Sequence, residues 1–128
     1  MSGFKTDYIE VRIYRWKKND IDMNEVLTPL VYEWTDGTIY TVPKGFKTNF
    51  ASIPKLFRCF IEPTGKWTNA SVLHDFLYDY GYKIGVSRKK ADKIFFDAMI
   101  DSHVARITAN IMWFCVRAFA YFHYKRKD

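Results

Sequence analysis

The strongest pattern in this chain lies in its second half, where apolar positions recur at helical spacing with ionisable residues set among them. Lys66 to Tyr80 and Ser87 to Met99 both predict helices. Between them, Tyr80-Gly81-Tyr82-Lys83-Ile84-Gly85 carries two glycines and no apolar period, so it predicts a turn, with Ser87 as the N-cap of the second helix. A connection this short makes the helices antiparallel neighbours. In the second helix Ala91, Ile94, Phe95, Ala98 and Met99 form the apolar stripe, and Asp92 lies on its margin.

The first third alternates instead. Ile9, Val11 and Ile13 face one way and Glu10, Arg12 and Tyr14 the other, which predicts a half-buried strand over Tyr8 to Trp16. Lys17 to Asn24 reads as a polar loop; Asp20, Asp22 and Asn24 have a calcium-loop flavour without the glycine and distal glutamate that such a loop needs. Val26 to Trp34 and Thr38 to Val42 are two strands around Asp36-Gly37, a strong hairpin signal. Pro29 puts the first of these at a sheet edge or restricts it to its second half.

Val42 to Pro54 has little periodicity and is punctuated by glycine and proline; Phe46 and Phe50 would tack it to the body. Pro54 suits the first turn of a short helix through Phe60, broken by Glu62-Pro63-Thr64-Gly65. An ordered loop of this kind is either a substrate or ion clamp or a packed connector. The last apolar segment, His103 to Tyr124, resembles a membrane span in composition, but Arg106, Asn110 and Arg117 interrupt it. It predicts an amphipathic helix closing the core through Ile107, Ile111, Phe114, Ala118 and Phe122. Trp113, Tyr121, Tyr124 and the Lys125-Arg126-Lys127 run also suit a peripheral contact with an anionic membrane.

The fold class that follows is α+β: a small N-terminal antiparallel sheet, then a three- to four-helix, mostly antiparallel body. The 128 residues make one domain, with strands over 1–43, an ordered loop and short helix over 44–65, and the helical body over 66–128. Hydrophobic residues at 48% and aromatics at 19% exclude a disordered chain. A net charge of +6 with a pI near 9.3 points to an acidic partner, whether phospholipid, nucleic acid or protein. Cys59 and Cys115 sit in apolar stretches without C-x-x-C spacing and read as buried free thiols, with one disulfide as the alternative; with only three histidines beside them, zinc is not expected. No apolar signal segment follows Met1, so export by that route is not implied.

The candidate chemistry sits on the helical pair. His74 lies about seven residues before the turn and Asp92 about five into the next helix, so at roughly 1.5 Å per residue their heights differ by only about 3 Å. They can face each other across the interface. Tyr78 falls one turn beyond His74 on the same face, while Asp75 points about 100° away. A histidine opposite one acid and beside another suits a general base next to a cation or oxyanion site. The same residues also suit a structural cluster pinning two helices, and Arg88, four before Asp92, suits an ordinary ion pair.

Gly45-Phe46-Lys47-Thr48-Asn49-Phe50-Ala51-Ser52-Ile53-Pro54, then Pro63-Thr64-Gly65, His74-Asp75-Phe76-Leu77-Tyr78 and Ser87-Arg88 with Ala91-Asp92 and Phe95 resemble an uncharacterised domain family of tailed bacteriophages and prophages. The likeness runs from about Val42 to the C-terminus, and the family usually has Asp where this chain has Asn49. It implies a phage context, synthesis in the host cytoplasm, incorporation in a virion, and phage virion proteins or a host protein as partners. The His74 to Tyr78 stretch is also similar to the H-D-x-x-Y helix of A2-type phospholipases, and Ala91 to Met99 to the second helix of their small bacterial and fungal members.

That second resemblance implies His74 deprotonating a water, Asp92 orienting the imidazole, Tyr78 supporting the network and Asp75 binding calcium, with Asn49 as a further oxygen ligand. The disulfides and glycine-rich calcium loop of those enzymes have no counterpart here. Ser52, Lys66 and Arg88 are the candidate substrate or partner surface. Two readings lead: a virion, tail-associated or host-binding phage component that retains a phospholipase-like His-Asp site, and a calcium-dependent phospholipid acyl hydrolase acting on the host envelope. Nucleic-acid binding explains only the charge.

Overall fold

The computed structural model describes residues 3–5, 11–15, 22–48, 66–119 and 124. Among the described residues six strands precede three helices: β1 Gly3–Phe4, β2 Val11–Arg15, β3 Asp22–Val26, β4 Leu30–Glu33, β5 Ile39–Val42, β6 Lys47–Thr48, α1 Lys66–Tyr80, α2 Arg88–Asp101 and α3 Arg106–Phe119. They make two antiparallel three-stranded sheets, ordered β1-β4-β5 and β2-β3-β6. The α+β class, with strands first and helices after, is therefore the observed one.

The β4–β5 hairpin forms where Asp36-Gly37 allows it. Gly37 takes φ +87°, a left-handed value that glycine adopts without penalty, and the Asp36 carboxylate accepts from the Thr38 amide at 2.9 Å. Leu30 and Tyr32 on β4, and Tyr40 and Val42 on β5, point inward at period two. As Pro29 requires, β4 starts at Leu30. The expected loop over 17–24 is corrected at its end: Asp22, Met23 and Asn24 belong to β3, in register Arg15↔Asp22, Tyr14↔Met23 and Ile13↔Asn24. Ladder pairing on both sides of β3 outweighs the weak strand propensity of Asp and Asn. β6 likewise falls in the stretch expected to be irregular, and Phe46 beside it does tack that stretch down, buried with its ring edge-on to Phe76 at 5.5 Å.

Sheet and helices share one core. Two hydrogen bonds lock them: Tyr32 Oη donates to Asp101 at 2.6 Å and Trp34 Nε1 to Asp97 at 2.8 Å, both on α2. α1 ends at Tyr80, and a one-turn 3-10 segment, Gly81–Lys83, follows. Gly81 has to be small, since a Cβ there would stand 3.0 Å from the Val86 carbonyl oxygen. The Ser87 side chain caps α2 by accepting from Lys90 N, as the sequence indicates. At the other end His103 adopts φ +66°, and Val104 N donates to Met99 O and His103 N to Ile100 O, a Schellman arrangement built on a non-glycine residue.

The rotation of α3 overturns one expectation. Ile107, Ile111, Phe114 and Ala118 are exposed, and the helix packs through Ala109, Met112, Cys115 and Val116. Apolar residues occupy two opposite sides of this helix, so periodicity allows either to face the core. Polar contacts choose between them, as described next.

Candidate functional site

His74 of α1 and Asp92 of α2 are both fully buried, with Nε2 of the ring 2.8 Å from Asp92 Oδ1. The equal heights expected from the short turn are realised. Tyr78, one turn after His74, donates its hydroxyl to the same oxygen at 2.5 Å. The second carboxylate oxygen, Oδ2, accepts from Arg117 Nη1 of α3 at 2.8 Å. Phe95 lies against the imidazole with centroids 4.5 Å apart, and the Tyr78 ring borders it at 4.2 Å.

Arg88, a candidate for the substrate or partner surface, is half-buried and reaches the backbone of α3. Its Nη2 donates to the carbonyls of Val116 and Arg117 at 2.7 Å each, satisfying backbone oxygens in the last turn of α3. The cation on Asp92 is Arg117, which the sequence shows only as a polar interruption of the last apolar segment; its signal is an arginine in the last turn of a largely apolar helix. Arg88 and Arg117 together set the rotation of α3, because both contacts are made only when the Arg117 side of the helix turns toward α2.

Burial by itself would raise the Asp92 carboxyl, but the bonds from His74, Tyr78 and Arg117 more than offset that and hold it below the ordinary aspartate range. Burial and the neighbouring Asp92 charge push the Tyr78 phenol far up, so it remains a donor. Because the folded Asp92 value lies below the unfolded one, its contribution to stability is fully present above the ordinary range and is lost as the pH falls through the folded value. Wild type is therefore expected to lose more stability than Asp92→Asn between about pH 5 and about pH 3. Urea midpoints measured across that interval check this, and equal losses would remove Asp92 as the source.

Asp75 is buried at 8% exposure, one position and so about 100° round α1 from His74. Calcium takes six to eight oxygen ligands. Among the described residues no three His, Cys, Asp or Glu side chains gather as a metal-holding group. Asn49 and Ser52 lie outside the described residues, as do Cys59 and the stretch expected to form a helix over Pro54 to Phe60. Lys66 is the first residue of α1. Cys115 is a buried free thiol.

The assembled group is thus a histidine whose Nε2 is held by a carboxylate, with a phenol and a guanidinium completing that carboxylate's shell. Such a pair can orient an imidazole for proton transfer at Nδ1, and it also fastens three helices. No curated protein and no solved structure matches this chain. Residues 24–116 match the profile of a protein family of unknown function, DUF1353, a span that begins within β3 and includes β4, β5, β6, both members of the dyad, Tyr78 and most of α3. The chain belongs to the DUF1353 family.

Proposed function

We propose that this is a protein of tailed phages or prophages that hydrolyses acyl esters of phospholipids, with His74 as general base and Asp92 as its orienting acid. The observation that carries this reading is the 2.8 Å contact between His74 Nε2 and Asp92 Oδ1, with Tyr78 on the same oxygen. A carboxylate on Nε2 holds the neutral ring as the Nε2–H tautomer, which makes Nδ1 the proton acceptor. The reaction requires an opening that lets water and the ester reach the fully buried His74 ring; there Nδ1 takes a proton as water oxygen bonds to the ester carbonyl carbon. The imidazolium, stabilised by Asp92, then returns that proton to the leaving alkoxide as the carbon–oxygen bond breaks, releasing fatty acid and lysophospholipid. Tyr78 and Arg117 fix the carboxylate and are positioning residues.

Calcium belongs to the proposal through the phospholipase resemblance, with Asp75 as its ligand candidate. Bound, it would polarise the ester carbonyl. The test is fatty-acid release from mixed phospholipid vesicles with calcium or with chelator, comparing wild type with His74→Gln. Release that needs calcium and falls by about 10² to 10⁴-fold in the variant is the expected result.

A second reading, a non-catalytic virion, tail-associated or host-binding component, is favoured by the Arg117–Asp92 ion pair, which joins the dyad to a third helix as a fastening would. Absence of release from every lipid tested, with His74→Gln still folded, would select it.

A further inference from the structure

The outward face of α3 carries a continuous apolar stripe. Ile107 is 72% exposed, Ile111 47% and Phe114 63%, and Ala118 continues the same line at i, i+4, i+7 and i+11. Arg106 and Asn110 share a shallow groove with Ile107, Ile111 and Phe114. Among the described residues Arg106 is the cation beside the stripe, Arg117 being paired with Asp92, and the sequence between Ser102 and Lys127 holds no Asp or Glu.

We propose that this face of α3 seats on the surface of an anionic lipid bilayer, with Ile107, Ile111 and Phe114 entering the acyl boundary and Arg106 meeting headgroup phosphates. Charge complementarity selects that occupant. The groove places Arg106 beside the apolar residues, in a chain of net charge +6 and a stretch of sequence without an acid, which matches a sheet of lipid phosphates. Size points the same way. A stable protein interface needs roughly 800 Å² per partner, more than a few side chains on one helix supply, whereas a bilayer accepts any area offered. Fourteen residues extend about 21 Å, short of the roughly 30 Å hydrocarbon core, so the helix would lie along the surface. None of the described helices is long and apolar enough to cross a membrane.

The inference does not require His74 to be catalytic, and its test is kept separate from hydrolysis. Co-sedimentation is measured in chelator with vesicles of phosphatidylcholine alone and of phosphatidylcholine containing phosphatidylglycerol. Wild type should bind the anionic vesicles, more weakly as salt rises, and bind the neutral ones far less. The double variant Ile107→Ser with Phe114→Ser, unchanged in circular dichroism and unfolding midpoint, should lose about tenfold or more of that binding. Failure of wild type to bind, or equal binding by the variant, would overturn the proposal. So would a dimer in sedimentation velocity that the double variant abolishes, since a second copy would then cover the face. If vesicles are bound but not hydrolysed, the docking surface stands and the hydrolase reading alone fails.

Discussion

Asp92→Ala is expected to lower the free energy of unfolding by about 3 to 5 kcal/mol, the range for removing one partner of a buried charged cluster. The carboxylate receives bonds from His74, Tyr78 and Arg117. Its loss strands the first two inside the core, where neither water nor another acid replaces it without rearrangement. Arg117 is 31% exposed and can turn to solvent, which places the expected value toward the lower end. Asp92→Asn keeps the volume but sets an amide donor among donors, so it should fall between wild type and alanine. Urea unfolding followed by circular dichroism near pH 7 measures all three. A loss below about 1 kcal/mol for the alanine variant would show that the cluster contributes little to stability, and would leave chemistry as the better account of a buried His-Asp pair.

Phe95→Ala should cost about 3 to 5 kcal/mol as well, by another route. Phe95 is fully buried on α2, and its ring covers the imidazole at 4.5 Å, so truncation opens a cavity against the dyad. Phe95→Leu fills most of that space and should recover the greater part of the loss. The pair also carries functional information. If His74 is the base, the cavity beside its ring loosens the orientation that Asp92 imposes, so Phe95→Ala should release fatty acid more slowly even at temperatures where it remains folded. Thermal and urea unfolding give the first quantity and vesicle assays the second. Equal stability of the alanine variant and wild type would contradict the packing described.

The two large predictions rest on features with different visibility in the sequence. The helical hairpin was readable because its signals are local. Ser87 caps α2, two glycines interrupt the helical period, and the heights of His74 and Asp92 follow from counting residues either side of a short turn. Tyr78 joined them by lying one turn from His74. The Asp36-Gly37 hairpin and the start of β4 after Pro29 were legible for the same reason. β3 was not, because Asp22 and Asn24 carry turn propensity and become strand only through distant partners, Asp22 on β2 and Asn24 on both β2 and β6, which are not encoded in their own neighbourhood.

α3 shows the limit most plainly. Its sequence determined that there would be a helix with few polar positions, and composition determined that the chain would be basic and rich in aromatics. Read alone, the apolar period turns Ile107, Ile111 and Phe114 into the core, but both sides satisfy a helical period, so periodicity does not decide which one enters. The tertiary structure decided it through polar contacts of long sequence separation, Arg117 to Asp92 and Arg88 to the carbonyls of Val116 and Arg117. Those bonds turn Ala109, Met112 and Val116 inward and leave Ile107, Ile111 and Phe114 outside, because a buried carboxylate must be met by donors wherever the chain can bring them.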